Sequence, residues 1–104
     1  MTGRVHVIGA GLAGLSAAVW LARAGRPVTV YEAAGHAGGR CRSFFDEVLD
    51  RRIDNGNHLL LSGNDDTHAY LEAIGATDRL CGPEHAEFPF FDLESGERWT
   101  VRPG

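Results

Sequence analysis

Six residues near the start of the chain, Gly9-Ala10-Gly11-Leu12-Ala13-Gly14, have the G-x-G-x-x-G spacing of a loop that cradles a phosphate. Each glycine has its own reason. Gly9 permits a tight turn after a strand. Gly11 lets the backbone approach a pyrophosphate, because a Cβ there would collide with it. Gly14 lets the following helix pack closely on the strand. The free N–H groups at the helix start and the helix dipole then favour negative charge. The pattern alone is weak, since ligand-free glycine turns share it. Its setting strengthens it: it follows an apolar run and opens a helical one, as the mechanism requires.

Glu32 is the second candidate. It lies eighteen residues beyond Gly14, at the tip of the next apolar run. A carboxylate at about this distance accepts hydrogen bonds from ribose hydroxyls and repels a 2′-phosphate. The pair therefore fits FAD or NAD and not NADP. Taken alone, Glu32 reads equally well as a solvated acid at a strand end. Backbone at Ala10, Leu12, Ala13 and Ala33 completes the expected contact set.

The third candidate is Gly38-Gly39-Arg40 within a G-G-R-x-x-S string that ends at Ser43. Adjacent glycines bring backbone close to a ligand, and Arg40 offers a planar donor fork for a phosphate. The competing reading is an ordinary surface loop. A GxGxxG, an acid after the second strand and then GGRxxS resemble the flavin-containing amine oxidase and phytoene desaturase superfamily. That resemblance selects FAD over NAD and places the glycine doublet near the FAD pyrophosphate and ribose. It also gives meaning to Ile53-Asp54-Asn55-Gly56-Asn57-His58-Leu59, which resembles the D-x-G turn that passes the flavin ring. Backbone from Gly56 to Leu59 would contact the isoalloxazine, with Asn57 and His58 hydrogen-bonding the ring or facing substrate. A lone histidine in such a run is more often structural.

The elements that must position these residues follow from local pattern. Arg4 to Ile8 reads as a short buried strand. Leu12 to Arg23 reads as a helix, with Leu15, Ala18, Val19 and Ala22 at helical spacing, stopped by Gly25 and Pro27. Val28 to Tyr31 reads as a second buried strand. Together they predict a βαβ unit with parallel strands. Ser43–Phe45 and Arg52–Asp54 read as short strands around a turn at 47–50. Asn64-Asp65-Asp66 is a helix start with a capping side chain and acids at the positive end. That helix carries Tyr70, Leu71 and Ile74 on one face and ends at Gly75. Phe88–Leu93 and Arg98–Val101 predict a hairpin.

The fold class expected is α/β: the N-terminal part of a Rossmann-like FAD-binding domain, then the start of a mixed α+β substrate region. Residues 1–64 form the FAD-binding unit, and residues 65–104 begin the substrate region. Parallel strands are normally flanked and covered on both faces, so two of them alone imply a remainder of the chain beyond Gly104.

The closer resemblance is to the squalene-associated FAD-dependent desaturases, whose best-understood members are hydroxysqualene dehydroxylases of bacterial hopanoid biosynthesis. It rests on the string from Ile53 to Asn64, on Gly82-Pro83, on Phe88-Pro89-Phe90-Phe91-Asp92 and on Gly96-Glu97-Arg98-Trp99. It implies a polyisoprenoid substrate and reductive loss of an allylic hydroxyl. It also implies a cytoplasmic enzyme with peripheral contact at the inner face of the membrane. Phe88, Phe90, Phe91 and Trp99 read either as pocket walls or, more simply, as core aromatics. A carotenoid or phytoene desaturase and a flavin amine oxidase share the same motifs. A non-catalytic nucleotide-binding module is the alternative of another class.

Composition narrows the remaining classes. The chain has 104 residues, with fourteen acids against ten bases, all of them arginine, and no basic run that suggests nucleic acid. Cys41 and Cys81 have no metal-ligand spacing and read as reduced thiols. No charged-then-apolar leader is visible. No residue is assigned acid–base work, and no metal ligand is expected.

Overall fold

A computed structural model describes residues 3–56 and 59–103. The chain is mixed α/β, built on three two-stranded sheets. Strand β1 (Val5–Ile8) leads into helix α1 (Leu12–Arg23), which returns to strand β2 (Val28–Tyr31). β1 and β2 are parallel, in register from Val5↔Val28 to Ile8↔Tyr31. The crossover ends as the sequence dictates. At the C-terminus of α1 the Gly25 N–H donates to Ala22 O and the Arg26 N–H to Leu21 O, both at 3.0 Å. These satisfy carbonyls that the last helical turn would leave orphaned.

Strands β3 (Ser43–Asp46) and β4 (Arg51–Asp54) form an antiparallel hairpin. Its turn is pinned by Asp46, whose Oδ1 accepts from Val48 N–H and Leu49 N–H at 2.9 Å each. Across the open end, Ser43 Oγ donates to Asp54 Oδ1 at 2.5 Å. Helix α2 (Asp65–Ala73) follows, then a short 3-10 turn at Thr77–Arg79 that the sequence pattern does not announce. The last pair, β5 (Phe88–Phe91) and β6 (Arg98–Val101), is a second antiparallel hairpin. Phe90 stacks on Trp99 with centroids 5.5 Å apart, and Arg98 lies 4.5 Å over the Phe91 ring. Such cross-strand pairs are the unit of stabilisation in an isolated hairpin. Its turn is held by Asp92, which accepts from Ser95 Oγ at 2.8 Å and Glu94 N–H at 3.0 Å. Those bonds, the Ser95 hydroxyl first, hold the Asp92 carboxyl below the usual carboxylate range.

Two expectations need correction. The first two strands are not buried: Ile8 is 82% exposed and Tyr31 46%. The strand pair has α1 packed on it and no further strand beside it among the described residues. A parallel strand is buried only when both faces are covered. Second, Asn64 is the N-cap residue of α2 but makes no side-chain cap bond. Its Oδ1 accepts instead from Leu61 N–H at 2.8 Å, closing the turn that precedes the helix. Asn side chains have this competing local choice.

Among the described residues only Ala10 is buried, at 3% exposure. The Cα radius of gyration is 18.7 Å, against roughly 13 Å for a compact chain of about 100 residues. The structure is therefore drawn out, and its tightest point is the glycine loop.

Candidate functional site

The loop between β1 and α1 is built by its three glycines in three different ways. Gly9 has φ of 99°, a left-handed conformation that a side chain would strain. Gly11 has an ordinary extended backbone, φ −75° and ψ −177°, so its lack of a side chain is not a matter of backbone freedom. A Cβ on Gly11 would meet no atom within 4 Å. The space it would occupy is the open mouth of the loop. Gly14 is the opposite case: a Cβ there would sit 1.9 Å from Gly9 O and 3.3 Å from Val7 Cγ1. The helix lies that close to the strand it follows.

The start of α1 is left open to an anion. No side chain caps it, and its first turn carries no acid. The first N–H groups of a helix have no intrahelical acceptor, and the dipole adds positive potential there. A phosphate fits this cradle in charge, in donors and in the space above Gly11.

Glu32 stands at the end of β2 beside this loop. Its Oε1 accepts from Ala10 N–H and its Oε2 from Ala34 N–H, each at 2.9 Å. These bonds, Ala34 first and Ala10 second, hold its carboxyl below the usual glutamate range. A carboxylate oxygen has two acceptor sites, so each retains capacity for a hydroxyl. Ile8, Gly9, Val30, Tyr31, Glu32 and Ala33 line one open cleft at the ends of the two parallel strands. Tyr31 Oη and His6 Nδ1 lie 2.9 Å apart.

A depressed folded-state pKa has a definite consequence. The stabilisation that Glu32 contributes is present at neutral pH. It begins to fall as pH drops through the usual carboxylate range and is gone once pH is below the lower folded-state value. Protection of the Ala10 amide, its exchange taken relative to the intrinsic rate at each pH, is expected to be constant around neutral pH and to fall progressively as pH drops through the usual glutamate range and below it. Protection that stays flat as pH falls through the usual range and well below it would contradict the bond pattern.

The second glycine loop docks on the first. Gly38 N–H donates to Ala10 O at 2.7 Å, and a Cβ on Gly39 would lie 3.3 Å from Gly11 Cα. Gly38 has φ of 106°, and a Cβ there would come within 2.9 Å of Cys41 O. Ala there is doubly opposed, by backbone strain and by contact. Gly38→Ala is expected to detach this loop and weaken FAD binding on the order of tenfold or more, measured by flavin titration. Arg40 is exposed, and its guanidinium makes no hydrogen bond or ion pair among the described residues.

The ring turn is tied on next. Asn55 N–H donates to Arg42 O at 2.9 Å, and Asn55 Nδ2 to Arg40 O at 3.3 Å. Gly56 and Leu59 are exposed on either side of Asn57 and His58, which lie outside the described residues. Three motif segments far apart in sequence are thus joined in series, from Ala10 to the Gly38 loop and on to Asn55. The sequence reading passed over Asn55 and Ala34 as parts of this site. Asparagine in a polar turn was a signal for the first, since its amide often bonds nearby backbone. Nothing in a side chain marks the Ala34 N–H. Among the described residues no group of three or more potential metal ligands converges.

Comparison with known proteins adds an independent line. The family model for flavin-containing amine oxidoreductases matches residues 12–103. A hydroxysqualene dehydroxylase of Sinorhizobium fredii is 57% identical over 104 residues, all of this chain and 25% of the relative. That of Rhodopseudomonas palustris is 56% identical over the same span and share. That of Zymomonas mobilis is 55% identical over 97 residues, 93% of this chain and 23% of the relative. The chain spans about a quarter of the length of the curated relatives it matches.

Proposed function

This chain belongs to the flavin-containing amine oxidoreductase family, and from that premise we propose that it binds FAD within an oxidoreductase that acts on a polyisoprenoid. The reaction proposed for the whole protein is reductive removal of the hydroxyl of hydroxysqualene to give squalene. One observation carries the substrate: identity of 55–57%, over 93–100% of this chain, to three proteins named hydroxysqualene dehydroxylase.

β1, α1 and β2 are read as the first βαβ unit of a Rossmann-like FAD-binding domain. Residues 1–64 are assigned to that domain and residues 65–104 to the start of the substrate region. Gly9, Ala10, Gly11, Leu12, Ala13 and Gly14 would hold the pyrophosphate, and Glu32 with Ala33 the ribose. Gly38, Gly39 and Arg40 would close over the phosphates from the other side. Backbone from Gly56 to Leu59, with Asn57 and His58, would meet the ring. When bound and reduced, the flavin supplies the hydride, and the substrate hydroxyl leaves as water after gaining a proton. The residues of this chain act by binding and orienting: helix-start N–H groups against phosphate, a carboxylate against ribose, and a guanidinium free to pair with an oxyanion. No side chain here is assigned the proton.

The substrate reading also carries a cytoplasmic location with peripheral contact at the inner membrane face. A C30 polyene prefers the bilayer by roughly 0.8 kcal/mol per buried methylene. No described helix is long and apolar enough to cross a membrane.

The test is an absorption spectrum of the purified protein, then acid release and identification of the bound dinucleotide. One FAD per chain, with conversion of hydroxysqualene to squalene under reducing conditions, is the expected result. A colourless protein that binds NAD would remove the cofactor assignment. Turnover of phytoene or a polyamine instead would keep the flavin and replace the substrate.

A further inference from the structure

Ala10 is held through both of its flanking peptide groups. Its N–H donates to Glu32 Oε1 at 2.9 Å, and its carbonyl accepts from Gly38 N–H at 2.7 Å. It is also the single buried residue among those described, at 3% exposure. We propose that Glu32 is a positioning residue for the phosphate loop, fixing the Ala10 peptide before any nucleotide arrives, in addition to accepting hydrogen bonds from a ribose.

The physical case starts from what the loop needs. Of the three residues between β1 and α1, Gly9 to Gly11, two are glycines. Glycine loses more conformational freedom on ordering than any other residue. A loop of this kind must be held, or each ligand must supply the ordering itself, with a loss of affinity. An ionised carboxylate accepting from backbone N–H is among the stronger hydrogen bonds available to do it. Glu32 is well placed, because its second oxygen is fixed by Ala34 N–H and cannot swing freely. The consequence is a division of labour along the loop. The Ala10 N–H is engaged by Glu32, so the donors left for the phosphate are the N–H groups from the N-cap Gly11 onward. The Gly38 loop docks on the carbonyl of the same residue, one peptide group further along, so fixing Ala10 through Glu32 also fixes where that second loop sits.

The distinction from a ribose acceptor is testable with a ligand that has no ribose. The ligand part of the test rests on the proposed nucleotide-binding reading; the amide part does not. Wild type, Glu32→Gln and Glu32→Ala would be titrated with ADP and with inorganic pyrophosphate. Amide exchange at Ala10 would be followed without ligand, with circular dichroism as a check on the fold. A positioning role predicts that Glu32→Ala weakens both ligands by similar factors, on the order of tenfold or more, and speeds Ala10 exchange by a comparable factor. Glu32→Gln keeps the shape but has one acceptor oxygen for two N–H groups, and should fall between. Weaker ADP binding with unchanged pyrophosphate binding and unchanged Ala10 exchange would overturn the proposal and leave Glu32 a ribose acceptor only. If wild type binds neither ligand, the nucleotide reading fails. The Ala10 exchange rates then decide the positioning role alone: faster in Glu32→Ala upholds it, unchanged overturns it.

Discussion

Gly11→Val is expected to abolish FAD retention while leaving the ligand-free protein folded. The backbone at Gly11 is extended and accommodates valine without strain. The new Cβ would meet no atom within 4 Å. Valine is a poorer N-cap than glycine, at a cost of about 1 kcal/mol or less. The loss falls on the ligand. A pyrophosphate that reaches the N–H groups of α1 must occupy the space above Gly11, and rigid overlap with a branched side chain costs about 3 kcal/mol or more. That is roughly a hundredfold in affinity. Flavin absorbance after gel filtration, set beside a thermal melt of the apo protein, measures both halves. Retention of one FAD per chain would place the phosphate elsewhere.

Gly14→Ala has the reverse signature, and its sign is decided by magnitudes. Gly14 lies inside α1, where alanine is the better helix former by about 1 kcal/mol. Helix propensity alone therefore predicts a gain in stability. The added methyl would lie 1.9 Å from Gly9 O and 3.0 Å from Gly9 C, both backbone atoms with no rotamer to yield. Relief requires α1 to lift away from β1, which also disturbs the turn at Gly9 and the peptide of Ala10. A loss of about 3 kcal/mol or more is expected, well beyond the helix gain. Urea unfolding with a helix signal, or soluble yield if the variant does not fold, is the measurement. A Gly14→Ala protein as stable as wild type would show that helix and strand do not make this contact in solution. The two substitutions separate the functions of one short loop: ligand access at Gly11, and packing of helix on strand at Gly14.

The membership of the chain in a flavin-containing family was legible in the glycine spacing, the acid past the second strand and the Gly38-Gly39-Arg40 string. Those signals are strong because each depends on a residue type that nothing else replaces. A glycine is required where the backbone turns left or another backbone passes close. A carboxylate is suited to a point where two backbone N–H groups converge, as those of Ala10 and Ala34 do on Glu32. Burial was less legible. Val5, Val7, Ile8, Val28 and Val30 have the composition of a doubly covered parallel strand pair, yet Ile8 stands open. Composition reports what a strand is suited to pack against, whereas exposure depends on which neighbours are present.

By itself the sequence determined the local elements: helix α1 between its glycine start and Gly25, and both hairpins, the first with its turn at 47–50. Hydrophobic period, turn chemistry and side-chain reach act over a few residues, so they can be read along the chain. Tertiary structure alone decided that the three motif segments are linked, through Ala10 to Gly38 and through Asn55 to Arg40 and Arg42. It also decided that the Asn64 amide turns back to Leu61. The links between segments are mostly hydrogen bonds made by backbone groups. Nearly every residue carries the same N–H and C=O, so no residue type announces which distant partner they will find.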